Sequence, residues 1–569
     1  MRRLALAVLL VALAPLASAQ SDFEQLDDLL GRYAEAGQLH GTVLAAQGDD
    51  VLYEAAFGEA NREWDIPNTP ETRFRIASVT KQFTAALVLQ LAEDGLLDLD
   101  APISTYLPDY PEAQAGVTTH QLLNHTSGIP SYTSLPGFMQ NDTRDPYTPT
   151  EFLSFFSDLP LEFEPGTEFS YNNSGYFLLG LLVETVMGVP YDEALQARLF
   201  DPLGLGDSGY DHTTAIIERR AQGYERTGRS YRHAPYLDSS IPYAAGMMYS
   251  TVGDLHAWTQ ALHGGEVFES AETLDAMTTP GMGSYGYGLF VSDREMGDAE
   301  VRMIAHSGGI PGFNTQLWYL PETDHTIAVL DNGGGNSGTV AEVVARALIG
   351  QPTPEPVISI AEPVAEAIDA EGIDAGIALY RELKASQPDA YDFGENELNG
   401  LGYQYLGDGD LDTAIRIFQL NVEMFPEASN PYDSLGEAYL EAGNRDLAIV
   451  NYQKALELNP NTQTAIDALR EMGVEVEEPE ITLSPDVLAG YVGTYEIQPS
   501  FVIDVTTEGG QLFAQATGQQ RFEVFPASED RFYLKVVDAQ ITFNRDEAGA
   551  VESLTLHQGG QNVPAPKVE

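Results

Sequence analysis

A serine and a lysine that could together transfer an acyl group stand three positions apart, at Ser78 and Lys81. On a helix, residues i and i+3 share one face, so the hydroxyl and the amine can meet. A neutral lysine amine can accept the serine proton and so activate the oxygen as a nucleophile. The spacing predicts this pair as a catalytic unit, although an ordinary surface pair in a helical turn has the same pattern.

The distribution of lysine favours the catalytic interpretation. The chain has five lysines, Lys81 is the only one before Lys384, and none of the other four has a serine three positions before it. The segment from Ser78 to Lys81 opens a predicted apolar helix that carries Phe83, Leu87 and Leu91. An amine packed against such apolar side chains would be costly unless it has a use.

A second motif places a phenol and a carboxamide two positions apart, at Tyr171 and Asn173. A phenol can carry a proton to a leaving group, and a carboxamide can hold a substrate amide or the lysine. The alternative is a tyrosine-rich loop without catalytic function, since the chain contains 28 tyrosines.

A third motif, His306-Ser307-Gly308-Gly309, ends a predicted strand. Glycine in a strand lets another backbone approach closely, so a substrate backbone could bind here. A single motif of this kind is weak evidence by itself. His125, within the segment from Leu122 to Pro130, could act as a base, but we expect a structural hydrogen-bonding role for it.

The elements that must position these residues fall within 20–350, which mixes helical and strand patterns. Strands near both ends, with helices between them, predict one antiparallel sheet flanked by helices, with a helical subdomain inserted: an α/β fold. The predicted helices are Asp22–Ala36, Phe83–Glu93 and Thr339–Ile349; the predicted strands are Gly41–Ala46, Val51–Phe57, Tyr287–Val291, Arg302–His306, Thr315–Leu320 and Thr326–Leu330.

Two further regions follow a proline-rich linker predicted at 351–365. Residues 366–475 contain a 34-residue repeat in which Leu435, Gly436 and Tyr439 match Leu401, Gly402 and Tyr405; this spacing is typical of all-α tetratricopeptide repeats. Such repeats bind a protein partner or serve as a spacer, and the sequence does not distinguish these roles. Residues 483–569 alternate with period two, which predicts a small all-β domain.

The first nineteen residues have the pattern of a secretory signal peptide. Two arginines precede an apolar run that ends before Ala17-Ser18-Ala19, a small-residue cleavage site. The run is short for a membrane span, although an uncleaved anchor is the alternative. We therefore expect export to a periplasm or to the extracellular medium, with no membrane span in the mature chain.

The composition excludes several other classes of function. The chain has 86 acidic against 28 basic side chains, a net charge of −58, which argues against binding to nucleic acid. It has no cysteine, which excludes disulfides and thiolate sites. None of its ten histidines stands in a His-Glu-x-x-His motif, so zinc hydrolysis is disfavoured and no metal or cofactor is expected.

Taken in order, the three motifs resemble those of the penicillin-recognising serine hydrolases, which include class C beta-lactamases, D-alanyl-D-alanine carboxypeptidases, D-aminopeptidases and esterases. The resemblance covers about Leu26 to Leu348. It implies that Ser78 is the nucleophile, that Lys81 activates it and that Tyr171 is the acid/base at the leaving group. The C-terminal region resembles a β-rich domain of unknown function often attached to such hydrolases.

The resemblance also implies how substrate binds. Asn173 would belong to the proton-transfer network, His306 and Ser307 would line the acyl-group strand, and the N–H groups of Ser78 and Gly309 would form the oxyanion hole. One departure matters: class C beta-lactamases have Lys-Thr-Gly where this chain has His-Ser-Gly, ending at Gly308. A permanent cation for a substrate carboxylate is therefore missing.

We accordingly expect an exported serine hydrolase that cleaves an amide or ester in a small-molecule or peptide substrate, with peptidase or esterase activity favoured over efficient beta-lactamase activity. D-amino acid peptides, peptidoglycan, esters and lactams all remain open as substrates. The alternative is a ligand-binding or sensing protein that uses the repeat segment to bind a protein partner.

Overall fold

The chain forms two compact units, seen in a computed structural model. The first comprises Met1–Arg226 and Tyr231–Pro356, and the second Thr227–Ser230 and Val357–Glu569. The structure describes residues 14–568, except 109, 112, 113, 115, 136, 228, 229, 461, 475–482, 499, 500, 527–529, 538, 546–550, 559 and 560. Most of the predicted signal peptide, residues 1–13, lies outside the described residues.

The first unit is built on a six-stranded antiparallel sheet with the strand order β10-β11-β12-β13-β1-β2. Two segments far apart in the chain complete it, because β1 pairs with β13 in a register that sets Val43 opposite Val329. This confirms the predicted architecture. The strands of this unit are β1 (Gly41–Gln47), β2 (Asp50–Ala56), β3 (Glu59–Asn61), β4 (Ile66–Pro67), β5 (Phe74–Arg75), β6 (Gly209–Tyr210), β7 (Tyr224–Thr227), β8 (Ser230–His233), β9 (Met248–Ser250), β10 (Phe290–Met296), β11 (Ala299–Ile310), β12 (Phe313–Leu320) and β13 (His325–Asp331).

Helices cover both faces of this sheet. Leu30 of α1 and Val344 of α11 pack in one core against Val43 and Val329. A second, larger core on the other face contains Leu44 and Leu330 together with the buried helices α2, α6 and α9. The helices are α1 (Ala14–Glu35), α2 (Thr80–Glu93), α3 (Thr119–Leu123), α4 (Phe138–Asn141), α5 (Pro149–Leu153), α6 (Asn173–Met187), α7 (Tyr191–Leu195), α8 (Asp201–Leu203), α9 (Val252–His263), α10 (Ala271–Thr278) and α11 (Ser337–Leu348).

Several predicted boundaries differ from the structure, and two of these differences have a clear physical reason. The strand predicted at Tyr287–Val291 runs instead over Phe290–Met296, where an ion pair between Asp293 and Arg302 accompanies polar, exposed positions of the hairpin. The linker predicted at 351–365 is shorter, because a helix begins at Ala361 and includes Pro363 in its first turn. Proline is tolerated there since the first helical N–H groups have no intrahelical acceptor.

The second unit begins with paired helices, as the repeat predicted. They are α12 (Ala361–Glu371), α13 (Ile373–Ser386), α14 (Glu395–Gly407), α15 (Leu411–Met424), α16 (Asn430–Glu441), α17 (Arg445–Leu458) and the single α18 (Gln463–Glu471). Within two of the pairs the close approach depends on glycine, because a Cβ on Gly402 would lie 2.4 Å from the Phe418 ring and one on Gly436 would lie 2.9 Å from the Tyr452 ring.

An antiparallel sheet of eight strands in sequential order completes the second unit. A bridge between Tyr495 and Lys567 also joins its first strand to the segment after its last. Earlier in this unit, the short strand β14 (Ile358–Ser359) pairs with β15 (Tyr391–Asp392), and the helix α19 (Pro485–Gly490) comes directly before the eight-stranded sheet. The strands of that sheet are β16 (Gly493–Gln498), β17 (Phe501–Glu508), β18 (Gln511–Ala516), β19 (Phe522–Pro526), β20 (Arg531–Leu534), β21 (Ala539–Arg545), β22 (Val551–Gln558) and β23 (Gln561–Pro566).

The length and apolar character of the helices can be compared with a bilayer span in the part of the chain that the structure describes. No single helix there has both the length and the apolar character to cross a bilayer; one bent pair, Asn173–Met187 with Tyr191–Leu203, passes on length and composition only.

Candidate active site

Ser78 lies in a tight 3-10 turn, Ala77–Val79, that runs directly into α2. Ala77 has a positive φ of 47°, a conformation that costs energy for a residue with a side chain and that recurs at functional sites. This turn leaves Ser78 partly exposed while its two neighbours are buried. The serine is therefore accessible to a substrate, and its amide lies at a helix N-terminus, where N–H groups are free to bind an anion.

Paired charges anchor the strand before this turn. Arg75 on β5 donates a 2.6 Å hydrogen bond to Asp211, whose fully buried carboxylate also accepts one of 2.6 Å from Arg220. The backbone of Ile76 donates to the carbonyl of Met248 on β9 at 2.9 Å. These contacts fix the backbone immediately before Ser78.

Lys81 projects from the first turn of α2 and is completely buried. Its Nζ lies 3.0 Å from Ser78 Oγ, 2.9 Å from Asn173 Oδ1 and 2.8 Å from the carbonyl oxygen of Ala245. The two motifs predicted from sequence therefore meet at one amine. Burial lowers the pKa of the Lys81 amine well below its ordinary value.

The geometry matches the needs of a neutral amine. A neutral –NH₂ group has two N–H donors and one lone pair, and Asn173 Oδ1 and the Ala245 carbonyl are acceptors only. If these two take the two N–H groups, the lone pair is directed to the remaining neighbour, the Ser78 hydroxyl. The arrangement can therefore accept a proton from the serine without any rearrangement.

Tyr171 is held by hydrogen bonds to the residues on either side of it. The N–H of Ser170 donates to the carbonyl oxygen of His125 at 2.9 Å, and the N–H of Asn172 donates to His125 Nδ1 at 3.0 Å. Asn172 then caps α6 by accepting from Gly175 N–H at 2.8 Å. The buried His125 thus has the structural hydrogen-bonding role expected for it, one that positions the tyrosine.

Two effects on the Tyr171 phenol oppose each other. Burial raises its pKa above the ordinary value, and a hydrogen bond with the Ser78 side chain lowers it by a smaller amount. The phenol is therefore protonated near neutral pH and is suited to donate rather than accept a proton. The Lys81 Nζ lies 4.8 Å from the centre of the tyrosine ring, close enough for a cation–π contact once the amine is protonated.

Asn173 joins this group through both ends of its amide. Its Oδ1 accepts from Lys81, and its Nδ2 donates to Thr133 Oγ1 at 3.1 Å. Its backbone N–H donates to Ser131 Oγ at 3.2 Å. The hydroxyls of Ser131 and Thr133 consequently fix which face of the carboxamide is presented to the lysine.

The His306 ring lies 6.0 Å from the Tyr171 ring, and both of its nitrogens are engaged in polar contacts. Nε2 lies 3.0 Å from the Tyr285 hydroxyl, and Nδ1 lies 2.6 Å from the carbonyl oxygen of Ser307. A carbonyl can only accept, so Nδ1 carries the proton and Nε2 accepts from Tyr285. Burial, followed by the charge of Lys81, lowers the pKa of His306 to about 3. The ring is therefore neutral and gives no cation for a substrate carboxylate.

The two glycines after His306, Gly308 and Gly309, differ in whether a side chain would fit at their position. A Cβ on Gly308 would lie 2.2 Å from the carbonyl oxygen of Ile76, so only glycine lets β11 pack against the nucleophile turn. A Cβ on Gly309 would meet its nearest neighbour at 3.7 Å, an ordinary contact. Ser307 and Gly309 are exposed on this strand, whereas Gly308 is buried. The close approach of Gly308 thus places this strand, with Ser307 and Gly309 on it, beside the turn that contains Ser78.

Two participants were not predicted as such. They are the carbonyl oxygen of Ala245, which contacts Lys81, and the hydroxyl of Tyr285, which contacts His306. The Tyr285 ring packs 4.5 Å from that of His125 and 6.2 Å from that of Tyr171. The role of a backbone carbonyl cannot be recognised from the type of residue that carries it. Tyr285 does not stand out either, because the chain contains 28 tyrosines.

Comparison with known protein families assigns three segments of the chain. Residues 26–350 match the family model described as beta-lactamase, residues 477–566 match a domain of unknown function, and residues 430–462 match a tetratricopeptide repeat. The chain belongs to the beta-lactamase family, that is, to the hydrolases of the serine beta-lactamase and penicillin-binding-protein fold.

Individual relatives extend the similarity. The chain is 30% identical to the putative penicillin-binding protein PbpX of Bacillus subtilis, over 55% of this chain and 75% of that protein. It is 24% identical to penicillin-binding protein 4* of the same organism, over 97% of this chain and all of that protein. A crystal structure of a penicillin-binding protein from Bacillus halodurans superposes with a TM-score of 0.51 at 31% identity, covering 56% of this chain and 98% of that one.

Proposed function

We propose that this protein hydrolyses an amide or ester bond through a covalent acyl-enzyme on Ser78, with peptidase or esterase activity exceeding beta-lactamase activity. The observation that carries the proposal is the buried Lys81 amine, 3.0 Å from the Ser78 hydroxyl and lowered in pKa by burial. A base of this kind makes serine a nucleophile without a histidine–aspartate pair.

The proposed acylation step balances protons as follows. Lys81 accepts the Ser78 proton as the serine oxygen forms a bond to the substrate carbonyl carbon. The tetrahedral intermediate then breaks its C–N or C–O bond, and the Tyr171 phenol donates a proton to the leaving nitrogen or oxygen. The proton on Lys81 returns to the Tyr171 phenolate, which restores both neutral groups. Water then hydrolyses the ester on Ser78 and releases the acid.

Negative charge on the carbonyl oxygen would be stabilised at the start of α2. The N–H groups of Ser78 and Gly309 are the proposed donors, since Ser78 lies at a helix N-terminus and Gly309 lies on the exposed end of the adjacent strand. The packing of Gly308 against Ile76 supports this pairing, because it keeps strand and turn in contact.

The neutral His306 supports the preference among substrates. Its two ring nitrogens are engaged, and its pKa of about 3 leaves it uncharged at neutral pH. A substrate with a carboxylate at the position next to this strand would lack the cation that a lysine supplies. Esters and amides without that carboxylate are therefore the preferred substrates.

A substrate panel tests the proposal. Purified full-length protein is assayed on a simple ester, a D-amino acid amide, a peptidoglycan stem peptide and a beta-lactam. We expect turnover of at least one ester or amide at a rate above that of the beta-lactam. Ser78→Ala should lose this turnover, while Ser154→Ala, which changes an exposed serine at the end of α5, should keep it. Equal turnover by Ser78→Ala would refute the proposal.

The second candidate function is ligand binding or sensing, in which the repeat segment binds a protein. The tetratricopeptide match at 430–462 and the helix pairs of the second unit favour a protein-binding capacity. The two candidates separate cleanly, because a purely binding protein would show no Ser78-dependent turnover on any member of the panel.

Export is also part of the proposal. The support is the sequence of residues 1–19, with two arginines, an apolar run and Ala17-Ser18-Ala19. Protein recovered from the periplasm or the medium of an expressing bacterium should begin at Gln20. Recovery of the uncleaved chain from the cytoplasm alone would contradict export.

A further inference from the structure

A second phenol ring, that of Tyr176, lies beside the Lys81 amine and takes no part in the proton transfers of the proposed acylation step. Tyr176 is on α6, three positions after Asn173, so the two side chains share one face of the helix. Asn173 Oδ1 accepts from Lys81, and the Lys81 Nζ lies over the Tyr176 ring, 5.5 Å from its centre. One face of α6 therefore presents both a carboxamide oxygen and an aromatic face to the same amine.

The hydroxyl of Tyr176 holds the ring in place. It donates to the carbonyl oxygen of Leu123 at 2.8 Å and accepts from the N–H of Gly288. Gly288 also packs on the lysine itself, since a Cβ there would lie 2.6 Å from the Lys81 carbonyl oxygen. Tyr176 is fully buried. The ring and the lysine are thus fixed to the same short segment, which keeps the distance between them constant.

The titratable side chains that face Lys81, or the two phenol rings over which it lies, are neutral near pH 7. They are Tyr171 before α6, Tyr176 on α6, His125 after α3, Tyr285 before β10 and His306 on β11. Burial raises the pKa of each phenol and lowers the pKa of each imidazole. The three oxygens that contact the amine are uncharged as well. Within the part of the chain that the structure describes, a proton on Lys81 therefore has no carboxylate in contact with it.

The acylation step places a positive charge at this buried position. When Lys81 takes the Ser78 proton it becomes an ammonium ion, and an unpaired buried charge is costly. Aromatic faces carry negative potential and attract a cation that lies within about 6 Å of the ring centre, most strongly where water is excluded. Tyr171 offers one such face but gives up its own proton later in the step. The Tyr176 hydroxyl donates to a backbone carbonyl, so this ring stays neutral throughout.

From these contacts we propose that Tyr176 is a positioning residue whose ring face stabilises the Lys81 ammonium ion formed during acylation. The inference deepens the proposed function and rests on it for its effect on the rate, whereas the contact between ring and amine can be tested without any turnover. By favouring the protonated form, the ring makes Lys81 a stronger base than burial alone would allow.

Direct titration of Lys81 by NMR tests the contact. Full-length protein labelled with ¹³C at the lysine Cε position gives signals from only five lysines, and the Lys81 signal is the one missing in Lys81→Arg. The reference variant is Tyr176→Phe, which keeps the ring and loses the hydroxyl. It is compared with analogues of the same variant that carry one, two or three fluorine atoms on the ring. Fluorine withdraws electron density from the ring face and changes the ring volume little.

We expect the pKa of Lys81 to fall with each added fluorine, because a weaker negative potential on the ring destabilises only the ammonium form. The other four lysines, all in the second unit, are internal controls whose titration should not change. A residue that serves only to fill space would leave the pKa of Lys81 independent of fluorination, and water entering a loosened site would raise it. Either of these two results would overturn the proposal.

Turnover of a substrate from the panel supplies the second readout. From Tyr176→Phe to its most fluorinated analogue, kcat/KM should fall by about 2- to 30-fold, the range that corresponds to loss of a cation–π contact. The unfolding temperature should stay the same across the series, which shows that the fold is intact. A pKa that shifts with fluorination while kcat/KM stays constant would overturn the role in acylation. If no substrate is turned over at all, the proposed function fails, while the titration still decides whether the ring stabilises the ammonium ion.

Discussion

At the residue scale, the central feature is a buried lysine whose three hydrogen-bonding neighbours are uncharged oxygens. Lys81 contacts Ser78 Oγ, Asn173 Oδ1 and the Ala245 carbonyl, all within 3.0 Å. Burial lowers the pKa of the amine, and none of these three oxygens carries a negative charge that would offset the effect. The neutral amine is therefore the resting form at a lower pH than for a lysine in water.

The first prediction concerns the protonation of this amine. The acid limb of kcat/KM should fall well below the ordinary lysine pKa of 10.5, because activity needs neutral Lys81 and burial lowers its pKa. Activity should therefore rise with pH through the lowered value. Lys81→Arg, which cannot lose its proton, should reduce kcat/KM by about 10²–10⁴-fold or more. A pH–rate profile of both proteins checks this.

Either of two results would contradict the prediction that Lys81 acts as a base. An acid limb at or above pH 10.5, or a Lys81→Arg variant with near-parental activity, would show that the lysine acts as a fixed cation. Circular dichroism of the variant distinguishes loss of the base from loss of the fold.

Residue types and spacing were enough to predict part of this site. Ser78 with Lys81, and Tyr171 with Asn173, each form a short local motif, and the structure places the two motifs in contact through one hydrogen bond. Ala245 could not be found in this way, because it acts through its backbone carbonyl. Its contribution depends on a tertiary approach that a single sequence does not encode visibly.

At the element scale, the site depends on the packing of β11 against the turn before α2. Gly308 is buried there, and a Cβ would come within 2.2 Å of the Ile76 carbonyl oxygen. Because this contact joins the backbone of the strand to the backbone of the turn, neither can shift easily to make room for a Cβ. The identity of this glycine is therefore a condition for the position of Ser78, a reason different from the substrate approach predicted from sequence.

The second prediction compares the two adjacent glycines. Gly308→Ala should destabilise the first unit by about 1–3 kcal/mol by overpacking and reduce acylation of Ser78 about 100-fold, since small displacements of a nucleophile are costly. Gly309→Ala, with its nearest contact at 3.7 Å, should stay within about 0.5 kcal/mol of the parent and keep its N–H donor. Urea unfolding and acylation rates check both; equal effects would contradict the packing argument.

The third prediction concerns the repeat helices. Gly402→Ala should destabilise the second unit by about 1–3 kcal/mol, because its Cβ would lie 2.4 Å from the fully buried Phe418 ring. Gly400→Ala, on the same helix with nothing within 4 Å, should instead stabilise it by about 0.5–1 kcal/mol. Circular dichroism at 222 nm during thermal unfolding measures the difference. Stabilisation by both variants would show that the helices do not pack as described.

Element boundaries were predicted less well than element types. The helix pairs follow from a 34-residue repeat of small and large residues, whose packing partners are one repeat away. The start of α12 at Ala361 does not follow from the sequence, because Pro363 favours a linker by residue type, although proline is also compatible with a first helical turn. The edge strand β10 was also misplaced, because its exposed half carries no apolar alternation.

At the scale of the whole molecule, the first unit buries several histidines in neutral form. Burial lowers the pKa of His40 and His263 to about 4 and of His306 to about 3, and lowers that of His125 as well. Each stays neutral in the folded state while the unfolded chain titrates near 6.5. Their contribution to stability is complete above pH 6.5 and is lost as pH falls toward 3.

The fourth prediction follows from these shifts. The free energy of unfolding of the first unit should fall between pH 6.5 and 4, by up to about 1.4 kcal/mol per pH unit for each histidine. Asp331, whose pKa burial raises to about 6, opposes this in part, since it gains stability as pH falls through 6. The three tryptophans, Trp64, Trp258 and Trp318, all lie in the first unit and report its unfolding by fluorescence.

The result that would contradict this account is equally direct. Unfolding midpoints in urea that are the same at pH 7.5 and pH 5 would mean that the histidines are not buried as neutral groups. The net charge of −58 adds a separate effect on stability, the repulsion between like charges. Added salt should weaken this repulsion and leave the histidine effect in place, because buried groups are screened little.

The most direct measurement is the intact mass of the full-length protein after reaction with a fluorophosphonate probe, followed by peptide mapping. The account predicts one adduct on Ser78, absent in Ser78→Ala, present in Ser154→Ala and formed at least 100-fold more slowly in Lys81→Arg. No adduct on the parent protein, or an adduct of the same mass on Ser78→Ala, would contradict it.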